Sequence, residues 1–392
     1  MAHVRKRYLT LQILSRLKFS PVVAICGARQ TGKSLLAREL LKGKIPSISY
    51  RTLDKKGERD FAISNPDSFL SQYEDNQLAI VDEAQKAPEL FDAIKARVDE
   101  NRKPGQFLLL GSTEFSLLQN IRESLTGRMS RVRLYPFTLA ESLKDEKFID
   151  WNFNTIKKSE NLRFRRSQLI TFLERGGMPG FFSIRENTVR HQMIKDWLDL
   201  TVQRDLMRIP KLKLDYELAY SILEKLAIIE EPTASEIAKS LRVPTLKVQT
   251  HIKALSSLFI ITQVSPHLKS TGKDHWYLLD VAFVKFFGGD FRRQLQTWLL
   301  NEILVRNSMR QIPRKINYFR NSKGSMIDFI LSEEKYKVAL QIFDCESVYD
   351  RDLNLLRSFG GQFEGTILFA LAGTRQDHPK ENLYVRAWES LG

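Results

Sequence analysis

From Gly27 to Ser34 the chain reads Gly-Ala-Arg-Gln-Thr-Gly-Lys-Ser. This stretch fits the pattern G-x-x-x-x-G-K-[ST], in which glycines let the backbone curl until several N–H groups point at one phosphate. The apolar run Pro21–Cys26 before it is typical of a buried strand, and residues Ser34–Leu41 after it have the spacing of an amphipathic helix. The sequence therefore predicts a strand, a phosphate-binding loop and a helix whose N-terminus faces a nucleoside triphosphate.

The loop side chains have separate expected roles. Lys33 reaches the β- and γ-phosphates, and Ser34 offers its hydroxyl to Mg²⁺. The predicted cofactors are thus ATP and Mg²⁺. The expected nucleotide contacts are Gly27, Ala28, Arg29, Gln30, Thr31, Gly32, Lys33, Ser34 and Leu35.

A second apolar run, Leu78–Val81, ends in two acidic residues. An acid at the carboxyl end of a buried strand can hold the water shell of Mg²⁺, which is the role expected for Asp82. The next residue, Glu83, is placed to orient and deprotonate an attacking water. Together with the phosphate loop, these acids predict ATP hydrolysis.

A third strand, Phe107–Gly111, runs into Ser112 and Thr113. The carboxyl ends of parallel strands face one crevice, so Ser112 is a candidate catalytic residue that senses the γ-phosphate or positions water. The alternative is that Ser112 or Thr113 caps a following helix. Both roles are compatible with the sequence.

The ordered segments GARQTGKS, LAIVDEAQKAPELFDAIKARVD, FLLLGST, SLTGR and RLYPFTLAE resemble those of the AAA-type ATPases of a large bacterial and archaeal family. The resemblance implies an α/β fold with a three-layer P-loop core, a helical lid, a winged helix-turn-helix and a C-terminal α/β domain like PD-(D/E)XK restriction endonucleases. The implied domains cover residues 1–148, 149–215, 216–285 and 286–392.

Two further residues take roles from this resemblance. Arg128, in SLTGR, occupies the position of an arginine finger that reaches the γ-phosphate of a neighbouring subunit, which implies a homo-oligomer. The alternative is a salt bridge beside a glycine cap. Pro179, in Gly176-Gly-Met-Pro179, resembles the Gly-x-Pro signature that packs near adenine in related lids; the alternative is an ordinary helix stop and turn.

Composition narrows the class of protein. The 61 Lys and Arg residues outnumber the 46 Asp and Glu residues, for a net charge of +15, which favours a polyanionic partner such as DNA. No apolar run approaches the about 20 residues needed to span a bilayer, and no secretory h-region follows the basic N-terminus, so we expect a cytoplasmic protein with no membrane partner. Cys26 and Cys345 are expected to be buried small apolar residues, and no Cys/His spacing suggests zinc.

The segment from Glu231 predicts a winged helix-turn-helix. The apolar positions Val248, Ile252, Leu255 and Phe259 share one face of its second helix, which is expected from Thr245 to about Leu258. The outer face then carries the candidate nucleic-acid contacts Lys247, Gln249, Thr250 and Lys253. Such domains also pack between other domains or bind protein, and that alternative remains.

The C-terminal segment alternates helix and strand. Nucleases of the similar family bind Mg²⁺ with a helix acid, a strand Asp and a [Glu/Gln]-x-Lys strand, and Glu302, Asp328 and Gln341 fit those places. Phe343 stands where the lysine should be, and an aromatic ring cannot activate water. We therefore expect a nuclease-like domain with a degenerate site.

Three functions compete at this point. The first is an ATPase that binds or remodels DNA, including branched DNA. The second is a signalling switch that binds ATP tightly, turns it over slowly to ADP and assembles with protein partners. The third is an ATP-regulated nuclease, against which Phe343 argues.

Overall fold

The computed structural model describes residues 4–74, 76–113, 125–151, 163–206, 209, 213–333, 336–363, 365–378 and 381–392. The chain forms two compact units. The first comprises residues 1–137 and 257–259, and the second comprises residues 138–256 and 260–392. The finer division into four domains stays a prediction.

The first unit is built on a parallel sheet of five strands in the order β2-β3-β4-β1-β5. Its strands are β1 (Val22–Cys26), β2 (Ile48–Thr52), β3 (Leu78–Asp82), β4 (Phe107–Gly111) and β5 (Met129–Arg133). Its helices are α1 (Leu9–Leu17), α2 (Lys33–Leu35, continued by a π-helical turn over Leu36–Leu40), α3 (Lys56–Ser64), α4 (Pro66–Leu70) and α5 (Leu90–Glu100). The predicted α/β core with a parallel sheet is confirmed.

The three central strands consist almost entirely of apolar residues because both of their faces are covered. Every residue of β1, β3 and β4 is buried. Continuous apolar runs of this kind are typical of parallel strands that lie between two layers of helices. Since the strands are parallel, their carboxyl ends lie along one edge of the sheet and bring Gly27, Asp82 and Ser112 towards each other.

The second unit begins with helices. These are α6 (Leu139–Ser142), α7 (Arg166–Arg175), α8 (Pro179–Phe182), α9 (Asn187–Asp199, followed by a π-helical stretch over Leu200–Asp205), α10 (Tyr216–Ile228), α11 (Ala234–Leu241) and α12 (Thr245–Ser257). Further along the chain lie α13 (Val281–Phe286), α14 (Phe291–Ser308) and α15 (Asn354–Gln362).

An eight-stranded mixed sheet completes this unit, in the order β12-β13-β11-β10-β9-β8-β6-β7. The strands are β6 (Ile261–Pro266), β7 (His275–Leu278), β8 (Lys315–Arg320), β9 (Met326–Ser332), β10 (Lys337–Ile342), β11 (Thr366–Ala372), β12 (Gln376–His378) and β13 (Leu383–Ala387). The hairpin β6–β7 joins this sheet through parallel pairing of β6 with β8.

The helix-turn-helix segment has the expected local structure. Thr233 caps α11 by accepting a hydrogen bond from the backbone N–H of Glu236. The predicted inner face of α12 is present, because Val248, Ile252 and Leu255 are all buried. Whether this segment acts as a winged helix stays a prediction.

The expectation for the cysteines is half right. Cys26 is buried in β1, whereas Cys345 is exposed because it follows the end of β10 instead of lying within a strand. The expectation that Cys345 is buried was wrong.

In the described ranges, none of the helices combines the length and apolar character needed to cross a bilayer.

Candidate active site

The phosphate loop starts where β1 ends and is packed tightly against the chain that follows β5. A Cβ atom on Gly27 would lie 2.4 Å from the carbonyl oxygen of Leu134, so only glycine fits there. The N–H of Leu134 in turn donates to the carbonyl of Cys26 at 2.8 Å. The close approach of these two segments fixes the direction in which the loop leaves the sheet.

Lys33 is the buried cation of the loop. Only 5% of its surface is exposed, and its Nζ donates to the carbonyl oxygens of Gly27 and Ala28, both at 2.8 Å. Burial lowers the pKa of Lys33 to about 8, while the carboxylates of Glu83 and Asp82 act in the opposite direction. An ammonium group held this way is positioned to exchange its carbonyl partners for phosphate oxygens, which fits a triphosphate.

The remaining loop residues form the turn around this ammonium. Thr31 is buried and its hydroxyl donates to the carbonyl of Ala28 at 2.9 Å. Gln30 has a left-handed backbone, with φ of 61°, and Gly32 has φ of 96° at the start of α2. Arg29 is half-buried beside them, and Leu35 is 38% exposed. The loop thus has the local shape predicted for it, and its contacts with nucleotide stay predictions.

The metal side of the site joins β3 to the first turn of α2. The hydroxyl of Ser34 donates to Oδ2 of Asp82 at 2.5 Å, so the two predicted Mg²⁺ residues are neighbours. Asp82 is buried, and its Oδ1 accepts a hydrogen bond from the N–H of Glu83 at 2.9 Å. A hydroxyl and a carboxylate are oxygen ligands of the kind that Mg²⁺ prefers. These residues fit an Mg²⁺ ion that is bound together with nucleotide.

A tyrosine that sequence reasoning missed also contacts this carboxylate. Tyr50, on β2, donates its hydroxyl to Oδ2 of Asp82 at 2.5 Å. Burial and the hydrogen bond to Asp82 raise the pKa of Tyr50, so the phenol stays protonated and remains a donor. No local pattern identifies Tyr50, because only the pairing of β2 with β3 brings it to Asp82.

The predicted base, Glu83, is held by two side chains. Oε2 of Glu83 accepts a hydrogen bond from Gln85 at 2.5 Å and another from Ser112 at 3.1 Å. Gln85 also donates to Ser112 at 3.1 Å, which closes a triangle. Ser112 therefore lies where the parallel sheet was expected to place it. Gln85 was missed, although a polar residue two positions after the acidic pair was a visible signal.

Arg128 lies at the amino ends of the strands, whereas the phosphate loop lies at their carboxyl ends. Its carbonyl accepts a hydrogen bond from the N–H of Val22, at the amino end of β1. Its guanidinium pairs with Asp99 through two bonds, of 2.5 and 2.8 Å, and these hydrogen bonds lower the pKa of Asp99. Within one chain Arg128 thus forms the salt bridge kept as an alternative, and its action across subunits stays a prediction.

The Gly-Gly-Met-Pro segment is shaped by a buried carboxylate. Gly176 has φ of 76°, and a Cβ on it would lie 2.1 Å from Oδ1 of Asp280. The N–H of Gly177 donates to Oδ2 of Asp280 at 2.7 Å. Burial raises the pKa of Asp280 from 3.8 to about 6, although the backbone hydrogen bonds oppose this shift. Helix α7 ends at Arg175, and Pro179 is the first residue of α8, where its missing N–H costs no hydrogen bond. The contact of Pro179 with adenine stays a prediction.

Of the three nuclease-like residues, Glu302 has partners of its own, away from the other two. Glu302 is fully buried and accepts hydrogen bonds from the N–H of Leu139 at 2.7 Å and from Trp298 at 3.2 Å, and it pairs with Arg306. Its position on α14 lies more than one turn beyond the residues that face Asp328. Glu302 therefore stabilises the start of α6 instead of completing a metal site.

Asp328 is engaged by protein donors on both oxygens. Oδ1 accepts from Gln296 at 2.6 Å and from Arg292 at 3.0 Å, and Oδ2 accepts from the N–H of Ile342 at 2.6 Å. Gln296 thus holds the helix position assigned to Glu302. Gln341 is half-buried on β10, and Phe343 packs against an apolar cluster. Among the described residues, no group of three or more His, Cys, Asp or Glu side chains could hold a metal ion.

Comparison with known proteins addresses the first unit. Residues 19–143 match a family model described as an AAA domain. This part of the chain is therefore similar to AAA domains. The matched range contains Lys33, Ser34, Asp82, Glu83 and Ser112, the residues of the site described above, and the match supports an AAA-type ATPase.

The full-length relatives that match this chain have low sequence identity to it. An uncharacterised protein of Mycobacterium bovis is 27% identical over 277 residues, which is 69% of this chain and 55% of the relative. A Mycobacterium tuberculosis protein matches with the same values. The chain therefore spans about half the length of these curated relatives.

Solved structures show weak similarity. The Thermotoga maritima RuvB Holliday junction branch migration motor is 16% identical, with 66% of this chain and 90% of that chain covered and a TM-score of 0.31. A signal transduction ATPase with a tetratricopeptide repeat sensor, from Pyrococcus horikoshii, is 12% identical, with 78% and 48% covered and a TM-score of 0.28. TM-scores this low indicate only distant structural similarity, and no functional conclusion is drawn from them.

Proposed function

We propose that this chain is a Mg²⁺-dependent ATP hydrolase whose bound nucleotide controls how tightly it binds DNA. The main support for ATP hydrolysis is the hydrogen bond of 2.5 Å between Ser34 and Asp82, beside the buried ammonium of Lys33. It joins the phosphate loop to the acidic strand end at one edge of the sheet. Bound Mg²⁺ would neutralise charge on the β- and γ-phosphates.

The residues of the AAA domain divide the work of hydrolysis. Lys33 orients the phosphates and stabilises the negative charge that develops on them. Ser34 and Asp82 hold the metal side of the nucleotide. Glu83 accepts the proton of the attacking water through Oε1, since Ser112 and Gln85 both donate to Oε2.

Substitution of Glu83 tests this assignment. Glu83→Gln keeps the shape of the side chain but cannot accept the proton, so we expect ATP affinity to persist and turnover to fall by about 100-fold or more. Glu89→Gln is the matched control, because Glu89 is an exposed acid next to the same motif. Phosphate release and nucleotide binding are measured on both variants. Normal hydrolysis by Glu83→Gln would refute its role as base.

The DNA part of the proposal is supported by charge. The chain carries a net charge of +15, and the outer face of α12 exposes Lys247, Gln249 and Lys253. Thr250 is half-buried, and its hydroxyl donates to the carbonyl of Leu246 at 2.9 Å. Lys247 also lies 3.5 Å from Asp215, an exposed pair that phosphate groups can replace. We therefore propose phosphate contacts for the two lysines first.

The nuclease-like domain is proposed to be inactive. Arg292 and Gln296 occupy the Asp328 oxygen that a metal would need, and Phe343 cannot activate water. The domain instead serves to bind DNA or a partner. Metal-dependent nicking by the purified chain that Asp328→Ala abolishes would overturn this part.

ATPase rates separate a DNA-directed motor from a switch on protein partners. We expect duplex or branched DNA to stimulate hydrolysis, measured with and without DNA at fixed salt. No stimulation, together with assembly that depends on ATP, would support the switch instead. The molecular mass of the Glu83→Gln variant in solution, measured with ATP and with ADP, also tests the proposed homo-oligomer and the action of Arg128 across subunits.

A further inference from the structure

A second cationic feature of the AAA domain lies outside the nucleotide contacts. A groove of about 730 Å³ runs between the end of α2, with its π-helical turn, and the edge strand β2. Arg38, Lys42 and Lys44 line it, against the single acid Glu39, and Tyr50 forms part of its wall. π-helical turns of this kind occur frequently at functional sites.

The three cations of the groove are available to a ligand. Arg38, Lys42 and Lys44 are all exposed, and none of them forms an ion pair within the described part of the chain. The guanidinium of Arg38 lies 5.2 Å from the centre of the Tyr50 ring, which holds it at the wall of the groove. The groove therefore has a strong positive potential with little internal compensation.

Strand β2 adds main-chain donors to this charge. It lies at the edge of the five-stranded sheet, and among the described strands it pairs only with β3. The carbonyl of Ser47 accepts from Leu78 at 3.0 Å, and the N–H of Leu53 donates to Asp82 at 3.0 Å. Because backbone groups alternate sides along a strand, those of Ile48 and Tyr50 point away from β3, towards the groove side.

The groove also reaches the metal side of the active site. The ring of Tyr50 lines the groove, and its hydroxyl donates to Asp82. Asp82 in turn accepts from Ser34 of the phosphate loop. A ligand against Tyr50 is thus separated from the catalytic carboxylate by one side chain.

We propose that this groove binds the phosphodiester backbone of the nucleic acid on which the ATPase acts, and that Tyr50 carries its occupancy to Asp82. The inference rests on the proposed DNA-coupled hydrolysis and assigns it a contact surface within the AAA domain. Cations and N–H donors are the groups that contact phosphates without regard to sequence. The groove is lined mainly by polar and charged groups, and an acidic peptide is the competing occupant that the experiment below distinguishes.

Charge reversal of the two lysines tests the groove. Lys42→Glu with Lys44→Glu is compared with Lys18→Glu with Lys103→Glu, which changes net charge equally at exposed lysines elsewhere in the same unit. We measure binding of fluorescent duplex and single-stranded DNA against salt, with polyglutamate as competitor. The groove variant should bind DNA about tenfold more weakly or worse, and its salt dependence should drop by about two phosphate contacts. The control should bind like the parent chain.

Each other outcome overturns the proposal. Equal binding by the two double variants would place the contact elsewhere, and no binding by the parent chain would remove the nucleic acid. Competition by polyglutamate as effective as that by DNA would indicate an acidic protein partner. ATPase activity without DNA is recorded in parallel, so a failure of the proposed hydrolysis is seen separately from a failure of the groove.

Discussion

The hydroxyl of Tyr50 lies 2.5 Å from Oδ2 of Asp82, the carboxylate oxygen that also accepts a hydrogen bond from Ser34. A residue of the edge strand thus shares an oxygen with the residue expected to hold Mg²⁺. Charge-assisted hydrogen bonds of this type are among the stronger ones in proteins, and they orient the acceptor. Tyr50 is therefore a positioning residue of the metal side of the site.

Removal of the Tyr50 hydroxyl should raise the Mg²⁺ requirement. We expect Tyr50→Phe to need about fivefold more Mg²⁺ for half-maximal ATPase activity, since it loses one hydrogen bond worth about 1 kcal/mol. Binding of ATP without Mg²⁺ should not change. Tyr73→Phe is the control, because the buried hydroxyl of Tyr73 has no hydrogen-bond partner in the described part of the chain. The same Mg²⁺ dependence in both variants would exclude the role of Tyr50.

Loss of the Gln85 side chain should slow turnover without weakening ATP binding. Gln85 and Ser112 direct Glu83 by donating to its Oε2, so Gln85→Ala should lower kcat by about tenfold and leave KM within about twofold. Gln77→Ala is the matched control, since Gln77 makes a similar bond of 2.8 Å with Glu74 away from the site. A rise in KM with kcat unchanged would contradict a positioning role.

Nucleotide affinity should fall at alkaline pH because of Lys33. Burial lowers its pKa from 10.5 to about 8, so without nucleotide the ammonium loses its proton above about pH 8. Since phosphates bind the charged form, affinity for ATP should drop about tenfold per pH unit above that value. Titrations from about pH 7 to about pH 9 measure this, with circular dichroism to verify folding. A flat affinity over that range would show that Lys33 stays charged.

The same pKa shift affects stability in the opposite direction. The unfolded chain binds the Lys33 proton up to its ordinary pKa of 10.5, whereas the folded chain releases it near 8. Between these values the unfolded state holds more protons, so the contribution of Lys33 to the free energy of unfolding rises with pH. Weaker ATP binding at alkaline pH therefore cannot be attributed to destabilisation by Lys33.

Gly176 should tolerate alanine much less than Gly288, a glycine with a similar φ angle. Gly176→Ala places a Cβ 2.1 Å from Asp280 and 2.5 Å from the Cβ of Ala282, whereas Gly288, with φ of 79° against 76°, has open space around it. We expect a loss of about 1 kcal/mol for Gly288→Ala and at least about 3 kcal/mol for Gly176→Ala. Urea unfolding measures both. Equal losses would show that the close approach of Asp280 adds nothing to the cost of alanine at Gly176.

Much of the site was accessible from the sequence because it depends on residues adjacent in the chain. The loop from Gly27 to Ser34 follows a buried strand, and Asp82 and Glu83 end another. Parallel strands place such ends at one edge, so the contact between Ser34 and Asp82 followed from two local patterns. The buried face of α12 was likewise set by helical spacing.

Tertiary structure alone determined which side chains surround these groups. Tyr50 reaches Asp82 because β2 pairs with β3, and Ser112 meets Glu83 because β4 lies beside β3. In the second unit, the packing of α14 against the sheet places Gln296 at Asp328 and directs Glu302 to the start of α6. Local patterns specify strands, helices and chemical groups, whereas hydrogen bonds between residues far apart in the chain depend on register and packing. Those hydrogen bonds decide which donors surround Asp82, Glu83 and Asp328.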